Sequence, residues 1–309
     1  MDPDTQIQFE FIGVIRQYKS GRVERLAQTD PVPPSLDQIT GVDSKDVEID
    51  PLTNVSARLY LPDSPRSPRS KLPILIYFHG GAFVVGSASE RLDHNYLNLL
   101  ASEANTVIVS VEYRRAPEHL LPAAYDDSWA ALEWVAAQAK SGPESWLAQY
   151  GDLERVFLVG FSAGGNIAHN IAVRARGEIK VKGLVLIHAY FLASEKSANE
   201  PKNLELRDKL EEFWGFVSPQ TTSGLDDPWV NPATTLKLLG CERVMVCVAD
   251  DELEERGRRY YEGLREIGWG EKVELLVSEG EKHGFFLKNP GCEKAVEMMT
   301  RLVAFFGCH

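Results

Sequence analysis

Gly-Phe-Ser-Ala-Gly, residues 160–164, is the stretch of sequence from which the fold can be predicted. The apolar run 155–159 precedes it and predicts a buried strand, and residues 165–175 follow it with the pattern of a helix. A G-x-S-x-G sequence between a strand and a helix is typical of a nucleophile elbow, a sharp turn that holds the serine hydroxyl out of the sheet edge. The hydroxyl then lies at the positive end of the following helix. We therefore predict a serine hydrolase with Ser162 as its nucleophile.

Continuous apolar segments recur on both sides of this motif, and segments without polar alternation predict strands that are buried on both faces. They cover residues 72–78, 106–111, 156–159, 183–187, 244–249 and 273–277. Helical patterns such as 123–139 and 252–267 separate them. This succession predicts the α/β class: an α/β-hydrolase fold with a mostly parallel central sheet flanked by helices. The alternating segment 55–61 predicts an antiparallel strand at the edge of that sheet.

A chain of 309 residues can form one large α/β domain, so we expect residues 1–309 to fold as a single domain. Residues 191–235 interrupt the strand–helix rhythm with a polar stretch, 194–203, and an amphipathic helix, 204–217. The first 40 residues are mixed in character and predict a short helix. We expect residues 1–40 and 191–235 to form a lid on the ligand side of the sheet.

The composition favours a protein that acts on a small molecule. The formal net charge is −12, and both nucleic acid and anionic membranes require a basic surface. No apolar run approaches the ~20 residues of a membrane span. The four cysteines (241, 247, 292 and 308) form no C-x-x-C or zinc-finger spacing, and the first residues do not resemble a secretory signal. We therefore expect a cytoplasmic protein without cofactor, metal, nucleic-acid or membrane partner; the sequence leaves the oligomeric state open.

A serine nucleophile needs a base, and the base needs an orienting acid; in α/β-hydrolases the chain order is serine, acid, histidine. Four histidines follow Ser162. His169 lies on the elbow helix and is expected to point away, His309 is terminal, and His188 ends a predicted strand and stays possible. His283 follows the last predicted strand and precedes the last helix, which is where the base belongs. We predict His283 as the base.

The acid should follow the strand 244–249, where Asp250, Asp251 and Glu252 stand in succession. Acidic residues at a helix start are also favourable in their own right, so at least one of the three needs no catalytic role. We predict Asp251 as the triad acid, with Asp250 as the alternative.

An oxyanion intermediate needs preorganised backbone donors. The sequence His-Gly-Gly-Ala-Phe, residues 79–83, ends the strand 72–78 at the place of the HGGG-type motif. We predict the backbone N–H groups of Gly81, Ala82 and Ala163 as the oxyanion hole, with His79 bracing the loop. Residues 81–87 also have the glycine spacing of a phosphate-binding loop, but its lysine is missing, which disfavours nucleotide binding.

With these motifs the chain resembles the plant carboxylesterases of the hormone-sensitive-lipase group, which are α/β-hydrolases and include 2-hydroxyisoflavanone dehydratases and the gibberellin receptor. Shared segments include residues 19–25, 79–83, 112–118, 121–127, 160–166 and 227–232. The resemblance implies that Ser162, Asp251 and His283 form the catalytic triad and that Gly81, Ala82 and Ala163 donate to the oxyanion. It also implies a serine carboxylesterase that hydrolyses small esters or acylated natural products.

Two departures from the family pattern bear on this interpretation. Ala82 replaces the third glycine of the loop, and an alanine would be strained there if the position needs a positive φ. Phe161 stands where an aspartate is usual, which should make the elbow less polar. Because HGGAF occurs in members resembling the dehydratases, elimination on the same triad is an alternative. A non-catalytic receptor is a weaker one, since the receptor of this group lacks the base histidine.

Overall fold

The computed structural model describes residues 2–63, 71–195 and 204–307. Most of the predicted polar stretch 194–203 and the terminal residues 308 and 309 lie outside this part of the chain. The described strands are β1 (Ile7–Phe11), β2 (Ile15–Tyr18), β3 (Val23–Arg25), β4 (Val42–Asp50), β5 (Val55–Pro62), β6 (Leu72–Phe78), β7 (Val107–Glu112), β8 (Gly151–Phe161), β9 (Val181–Ile187), β10 (Cys241–Ala249) and β11 (Val273–Ser278).

An eight-stranded sheet forms the centre of the molecule, in the order β11-β10-β9-β8-β6-β7-β5-β4. The six strands from β11 to β7 in this order run parallel to one another. β5 pairs antiparallel with both β7 and β4, so the antiparallel edge predicted from the alternating segment 55–61 is present. The predicted α/β-hydrolase class is confirmed by this mostly parallel sheet and its flanking helices.

Helices cover both faces of the sheet. They are α1 (Arg91–Ala104), α2 (Ala123–Ser141), α3 (Ser145–Tyr150), α4 (Ala163–Arg174), α5 (Leu204–Val217), α6 (Glu254–Glu266), α7 (Phe285–Lys288) and α8 (Glu293–Gly307). One apolar cluster joins the sheet to α2, α4 and α6, and a second joins its other face to α1, α7 and α8. Because successive strand residues point to opposite faces, Ile74 and Ile76 of β6 enter the first cluster and Leu75 and Tyr77 the second. This two-sided burial explains why the central strands are continuously apolar.

The amino-terminal region forms a separate three-stranded antiparallel sheet, β1-β2-β3, and the short helix predicted within residues 1–40 is wrong. As a strand, the segment Ile-Gln-Phe-Glu-Phe of β1 places Phe9 and Phe11 on one face, and the physical reason for the strand is that this face packs on α5. Phe9 stacks on Phe216 of α5 with ring centroids 4.0 Å apart, and the Phe11 ring lies 4.7 Å from Phe213. The amino-terminal sheet therefore packs on the helix of the 191–235 excursion.

Candidate active site

Ser162 lies between the end of β8 and the start of α4 with φ 55° and ψ −117°, a conformation that is costly for a non-glycine residue. Backbone hydrogen bonds hold it there. Its N–H donates to the carbonyl of Ile187 at 2.9 Å, and its carbonyl accepts from the N–H groups of Gly165 at 3.0 Å and Tyr190 at 2.9 Å. The elbow predicted from the G-x-S-x-G sequence is therefore fixed from β9 and from its own helix.

The two glycines of the elbow are required by close backbone approach. A Cβ on Gly160 would lie 2.0 Å from the carbonyl oxygen of Gly164, and a Cβ on Gly164 would lie 1.9 Å from that of Phe78. Both distances are far shorter than any contact between non-bonded atoms, so a side chain at either position would push α4 away from β6 and β8. Small residues are thus what permits the sharp strand–turn–helix connection.

Asp251 and His283 form a hydrogen-bonded pair at the carboxyl ends of β10 and β11. His283 Nδ1 lies 2.7 Å from Asp251 Oδ2, and the second carboxylate oxygen, Oδ1, accepts from the N–H of Leu253 at 2.9 Å. The Asp251 side chain is 2% exposed, whereas that of His283 is 33% exposed. Because Nδ1 donates its proton to the carboxylate, Nε2 carries the lone pair that a general base needs.

Asp250, the alternative acid, is exposed and contacts the loop that follows β11. Its Oδ2 accepts from the N–H of Gly280 at 3.1 Å, and its own N–H donates to the carbonyl of Glu281 at 2.9 Å. Asp250 therefore supports the loop that follows β11, and the geometry favours Asp251 as the partner of His283.

Ser162 and His283 line one cavity of about 240 Å³. Its walls come from the amino-terminal sheet, the 79–83 loop, the elbow, α5 and the start of the loop after β10. Among the described residues that line this cavity, His283 and Glu252 carry a basic group and a carboxyl group respectively. The remaining lining residues are Phe11, Val14, Gly81, Ala82, Val85, Phe161, Tyr190, Leu210, Phe213 and Leu253. The cavity is therefore apolar, with the hydroxyl and the imidazole among its polar groups.

The 79–83 loop turns tightly beside this cavity. Gly81, Ala82 and Phe83 have φ values of 109°, 53° and 61°, and the carbonyl of Gly81 accepts from the N–H groups of Val84 and Val85 at 3.0 and 2.9 Å. Ala82 thus occupies the left-handed conformation that the sequence identified as a source of strain. The hydrogen bonds from Val84 and Val85 to the Gly81 carbonyl close the turn around Ala82 and hold it in this conformation.

His79 braces this loop, as the sequence predicted. Its Nδ1 lies 2.7 Å from the carbonyl oxygen of Gly80, its ring stacks on Tyr113 with centroids 4.2 Å apart, and the Tyr113 hydroxyl donates to the His79 carbonyl at 2.9 Å. Burial lowers the pKa of His79 to about 3, so the ring stays neutral. The loop is therefore held by uncharged hydrogen bonds.

The other two described histidines after Ser162 are both buried. His169 contacts the hydroxyls of Tyr260 and Thr235 through its two ring nitrogens, at 3.0 and 2.9 Å, and points away from the cavity as expected. His188, which sequence reasoning left as a possible base, lies behind His283, with its Nδ1 3.8 Å from Asp251 Oδ2. Its proximity to the acid is a feature that the sequence did not reveal.

His188, Asp251 and His283 bring three potential metal-ligand atoms within 4.8 Å of one another. A zinc ion takes nitrogen and oxygen ligands at about 2.0–2.2 Å each, in a roughly tetrahedral arrangement. The 2.7 Å contact between His283 Nδ1 and Asp251 Oδ2 is too short for two atoms that share such an ion. The spacing is that of a hydrogen bond, so the cluster does not fit a metal centre.

Comparison with known proteins identifies the family. Residues 75–287 match the family described as alpha/beta hydrolase fold. "Probable carboxylesterase 2" of Arabidopsis thaliana is 44% identical over 97% of this chain and 96% of its own length. "Tuliposide A-converting enzyme 2, chloroplastic" of Tulipa gesneriana is 47% identical over 93% of this chain and 75% of its own length. The chain therefore belongs to the alpha/beta hydrolase fold family.

Solved esterases share this architecture. The Pyrobaculum calidifontis esterase superposes with a TM-score of 0.70 at 29% identity, covering 85% of this chain and 84% of its own. The thermostable carboxylesterase EstE1, cloned from a metagenomic library, gives 0.69 at 26% identity, covering 91% and 90%. Together with the plant relatives, these structures confirm the prediction of a carboxylic ester hydrolase.

The predicted cytoplasmic location is contradicted by the relatives. The Tulipa gesneriana enzymes, which are 43–47% identical to this chain, are named chloroplastic or amyloplastic and not cytoplasmic. The composition and the cysteine pattern from which a cytoplasmic location was predicted do not identify an intracellular compartment. Within the described residues, the helices are too short or too polar to cross a membrane.

The Asp251–His283 contact predicts that Asp251→Asn lowers kcat by about 10³–10⁴-fold, because the amide favours the wrong imidazole tautomer and no longer stabilises the imidazolium. Asp250→Asn, the matched control on the neighbouring residue, should stay within about tenfold of the wild type. Initial rates of p-nitrophenyl acetate hydrolysis measure both. Equal losses in the two variants would contradict the assignment of Asp251.

The φ of 53° at Ala82 predicts that Ala82→Gly is neutral to stabilising. Removing a left-handed alanine relieves about 1–2 kcal/mol, and the added freedom of glycine in the unfolded chain takes back about 0.4–1 kcal/mol. Thermal unfolding measures the net change. Ala168→Gly, inside α4, is the control and should destabilise by about 1 kcal/mol or more. A clear loss of stability in Ala82→Gly would count against a strained loop.

Proposed function

We propose that the chain hydrolyses small carboxylic esters through an acyl-enzyme formed on Ser162. The observation that carries this proposal is the 2.7 Å hydrogen bond between Asp251 and His283, made at the wall of the cavity that Ser162 also lines. An imidazole fixed by a buried carboxylate accepts the serine proton, and the alkoxide that results is the nucleophile that an ester requires.

The reaction runs in two halves on this arrangement. Ser162 Oγ attacks the acyl carbon while His283 Nε2 takes its proton, and the tetrahedral oxyanion accepts hydrogen bonds from the backbone N–H groups of Gly81, Ala82 and Ala163. The intermediate collapses when His283 gives the proton to the departing alcohol. A water molecule then attacks the acyl carbon while His283 takes its proton, and His283 returns that proton to the departing Ser162 oxygen, which releases the acid and restores the serine hydroxyl.

We further propose that the described amino-terminal residues and the 191–235 excursion act as a lid on a single domain. Phe11 and Val14 from the amino-terminal region line the cavity together with Leu210 and Phe213 of α5. The two regions also pack on each other through Phe9 and Phe216. Both therefore contribute to one apolar roof, which excludes water from the acyl group.

The cavity volume supports a preference for short acyl chains. About 240 Å³ is below the roughly 300–1,000 Å³ of sites for drug-sized ligands, and aromatic rings close its walls. A short acyl group of a small ester or acylated natural product fills this space, whereas a long chain has to displace Phe213 or leave the cavity. The alcohol part then lies toward the opening.

Across p-nitrophenyl esters of increasing chain length, kcat/KM should be highest for short acyl groups and fall by about tenfold or more at ten carbons. Phe213→Ala should extend the accepted length, because removing the ring enlarges the cavity at its α5 wall. Phe216→Ala is the matched control, since Phe216 packs on Phe9 and does not line the cavity. A flat chain-length profile in the wild type would oppose this assignment.

The role of Ser162 is tested by Ser162→Ala, which should lower kcat on p-nitrophenyl acetate by up to about 10⁶-fold. A fluorophosphonate probe should label the wild type at this residue and leave the variant unlabelled. Ser20→Ala, in the turn between β2 and β3, is a control for the loss of a hydroxyl. Retention of full activity by Ser162→Ala would refute the proposed mechanism.

Elimination on the same groups stays a prediction from the sequence. His283 would remove a proton from the carbon next to a carbonyl, the oxyanion donors would stabilise the enolate, and the enolate would expel the β-hydroxyl, which leaves as water with the proton that His283 gives back. Incubation with a 2-hydroxyisoflavanone, followed for loss of water, tests it separately from ester hydrolysis. Absence of product above background would remove this case.

A further inference from the structure

His188 is a buried histidine that the mechanism above does not use. It directly follows β9, and its side chain is 0% exposed. Its φ of 46° is costly for a non-glycine residue. Its N–H donates to the carbonyl of Cys247 on β10 at 2.9 Å, which fixes this conformation. A strained, buried and polar residue beside a proposed active site calls for a physical reason.

The Nδ1 atom of His188 faces Gly284, which follows the proposed base His283, and Asp251, which pairs with that base. It accepts the N–H of Gly284, the residue after His283, at 3.3 Å. It also lies 3.8 Å from Asp251 Oδ2. The imidazole of His188 thus joins the end of β9 to the loop that presents His283.

The ring of His188 is uncharged at neutral pH. Its pKa is lowered to about 4, mainly by burial and also by the nearby His283, while Asp251 opposes the shift. The aromatic rings of Phe161, Phe285 and Phe286 also lie against the His188 ring. Because Nδ1 is the acceptor, the single proton is on Nε2, and a neutral ring does not compete with His283 for the Asp251 carboxylate.

Packing alone does not account for a histidine here. Within the described residues, its Nε2 is buried and has no hydrogen-bond partner. An unpaired buried N–H is unfavourable, and an apolar side chain of similar size would avoid it. The hydrogen bond that Nδ1 accepts from Gly284 is therefore the feature that a histidine provides here and an apolar side chain would not. His188 also does not line the cavity, so it is not a second base.

We propose that His188 is a positioning residue: a neutral hydrogen-bond acceptor that fixes the Gly284 amide and thereby keeps His283 Nδ1 on Asp251. This role rests on the proposed function of His283. Loss of the acceptor leaves the base loop free to shift, and an imidazole that is less well paired with its carboxylate binds a proton less tightly. The expected consequence is slower chemistry with little change in substrate binding.

The test compares two variants that both tolerate a positive φ. His188→Asn keeps an acceptor, Oδ1, near the position of Nδ1 and can never be charged; it should retain kcat within about fivefold. His188→Gly has no acceptor; it should lose about 10–100-fold in kcat on p-nitrophenyl acetate with KM within about threefold. In His188→Gly the acid limb of the kcat/KM–pH profile should also move to lower pH.

Added imidazole should restore part of the kcat of His188→Gly by occupying the space the side chain leaves. The same imidazole with Ser162→Ala measures, and allows subtraction of, hydrolysis by free imidazole. His169→Asn is the matched control: it changes another buried histidine, whose pKa burial lowers to about 3 and which does not line the cavity. It should lower the unfolding temperature and leave both kcat and the acid limb unchanged.

Wild-type kcat and an unmoved acid limb in folded His188→Gly would overturn the positioning role and leave the proposed function intact. A folded His188→Asn as slow as His188→Gly would overturn it too, because the acceptor is retained there. Circular dichroism and thermal unfolding establish folding for each variant. Failure of the proposed function itself is recognised separately, by full activity in Ser162→Ala.

Discussion

The backbone of Ser162 is the constraint on which the rest of the site depends. A φ of 55° is unfavourable for serine, and the chain adopts it because β8 and α4 are anchored on either side. The anchors are the parallel pairing of β8 with β6 and β9, and the contact that lets Gly164 pack against the Phe78 carbonyl. Since a buried sheet supplies the anchors, the stability of the core and the presentation of the hydroxyl are linked.

Burial separates the histidines into two groups with different tasks. Four described histidines, His79, His94, His169 and His188, are buried, burial lowers the pKa of each, and their neutral rings serve as hydrogen-bonding braces. His283 is one third exposed and pairs with a buried carboxylate. An imidazole that must gain and lose a proton needs that contact with solvent and with a counter-charge.

How much of this could be predicted depended on the range of the interactions. The parallel strands and the elbow were predictable because short continuous segments determine them: apolar runs indicate strands buried on both faces, and the glycines at 160 and 164 indicate the sharp turn. The sequence favoured Asp251 but kept Asp250 as an alternative, since local spacing does not show which carboxylate faces inward. The role of His188 depends on three strand ends meeting, β9, β10 and β11, and no local pattern signals that.

The short helix predicted within residues 1–40 was wrong for a different reason. β1–β3 are strands of three to five residues, too short for periodicity to separate them from a helix turn. Their conformation is decided by a partner far along the chain, because Phe9 and Phe11 find their apolar contacts on α5. Tertiary packing therefore selects the secondary structure of this region.

Backbone strain is concentrated where the chemistry is proposed. Among the described residues, six non-glycine residues have a positive φ, and two of them are asparagines, which tolerate it. The other four are Ala82, Phe83, Ser162 and His188. They follow β6, β8 and β9, at the carboxyl edge of three neighbouring strands.

Each of these four conformations costs free energy in the folded state. Because they occur together at one edge, the sheet and its two apolar clusters must stabilise the molecule enough to hold them. The elbow, the oxyanion loop and His188 are thus three uses of the same rigid edge, and a change that loosens the sheet should affect the site before it unfolds the chain.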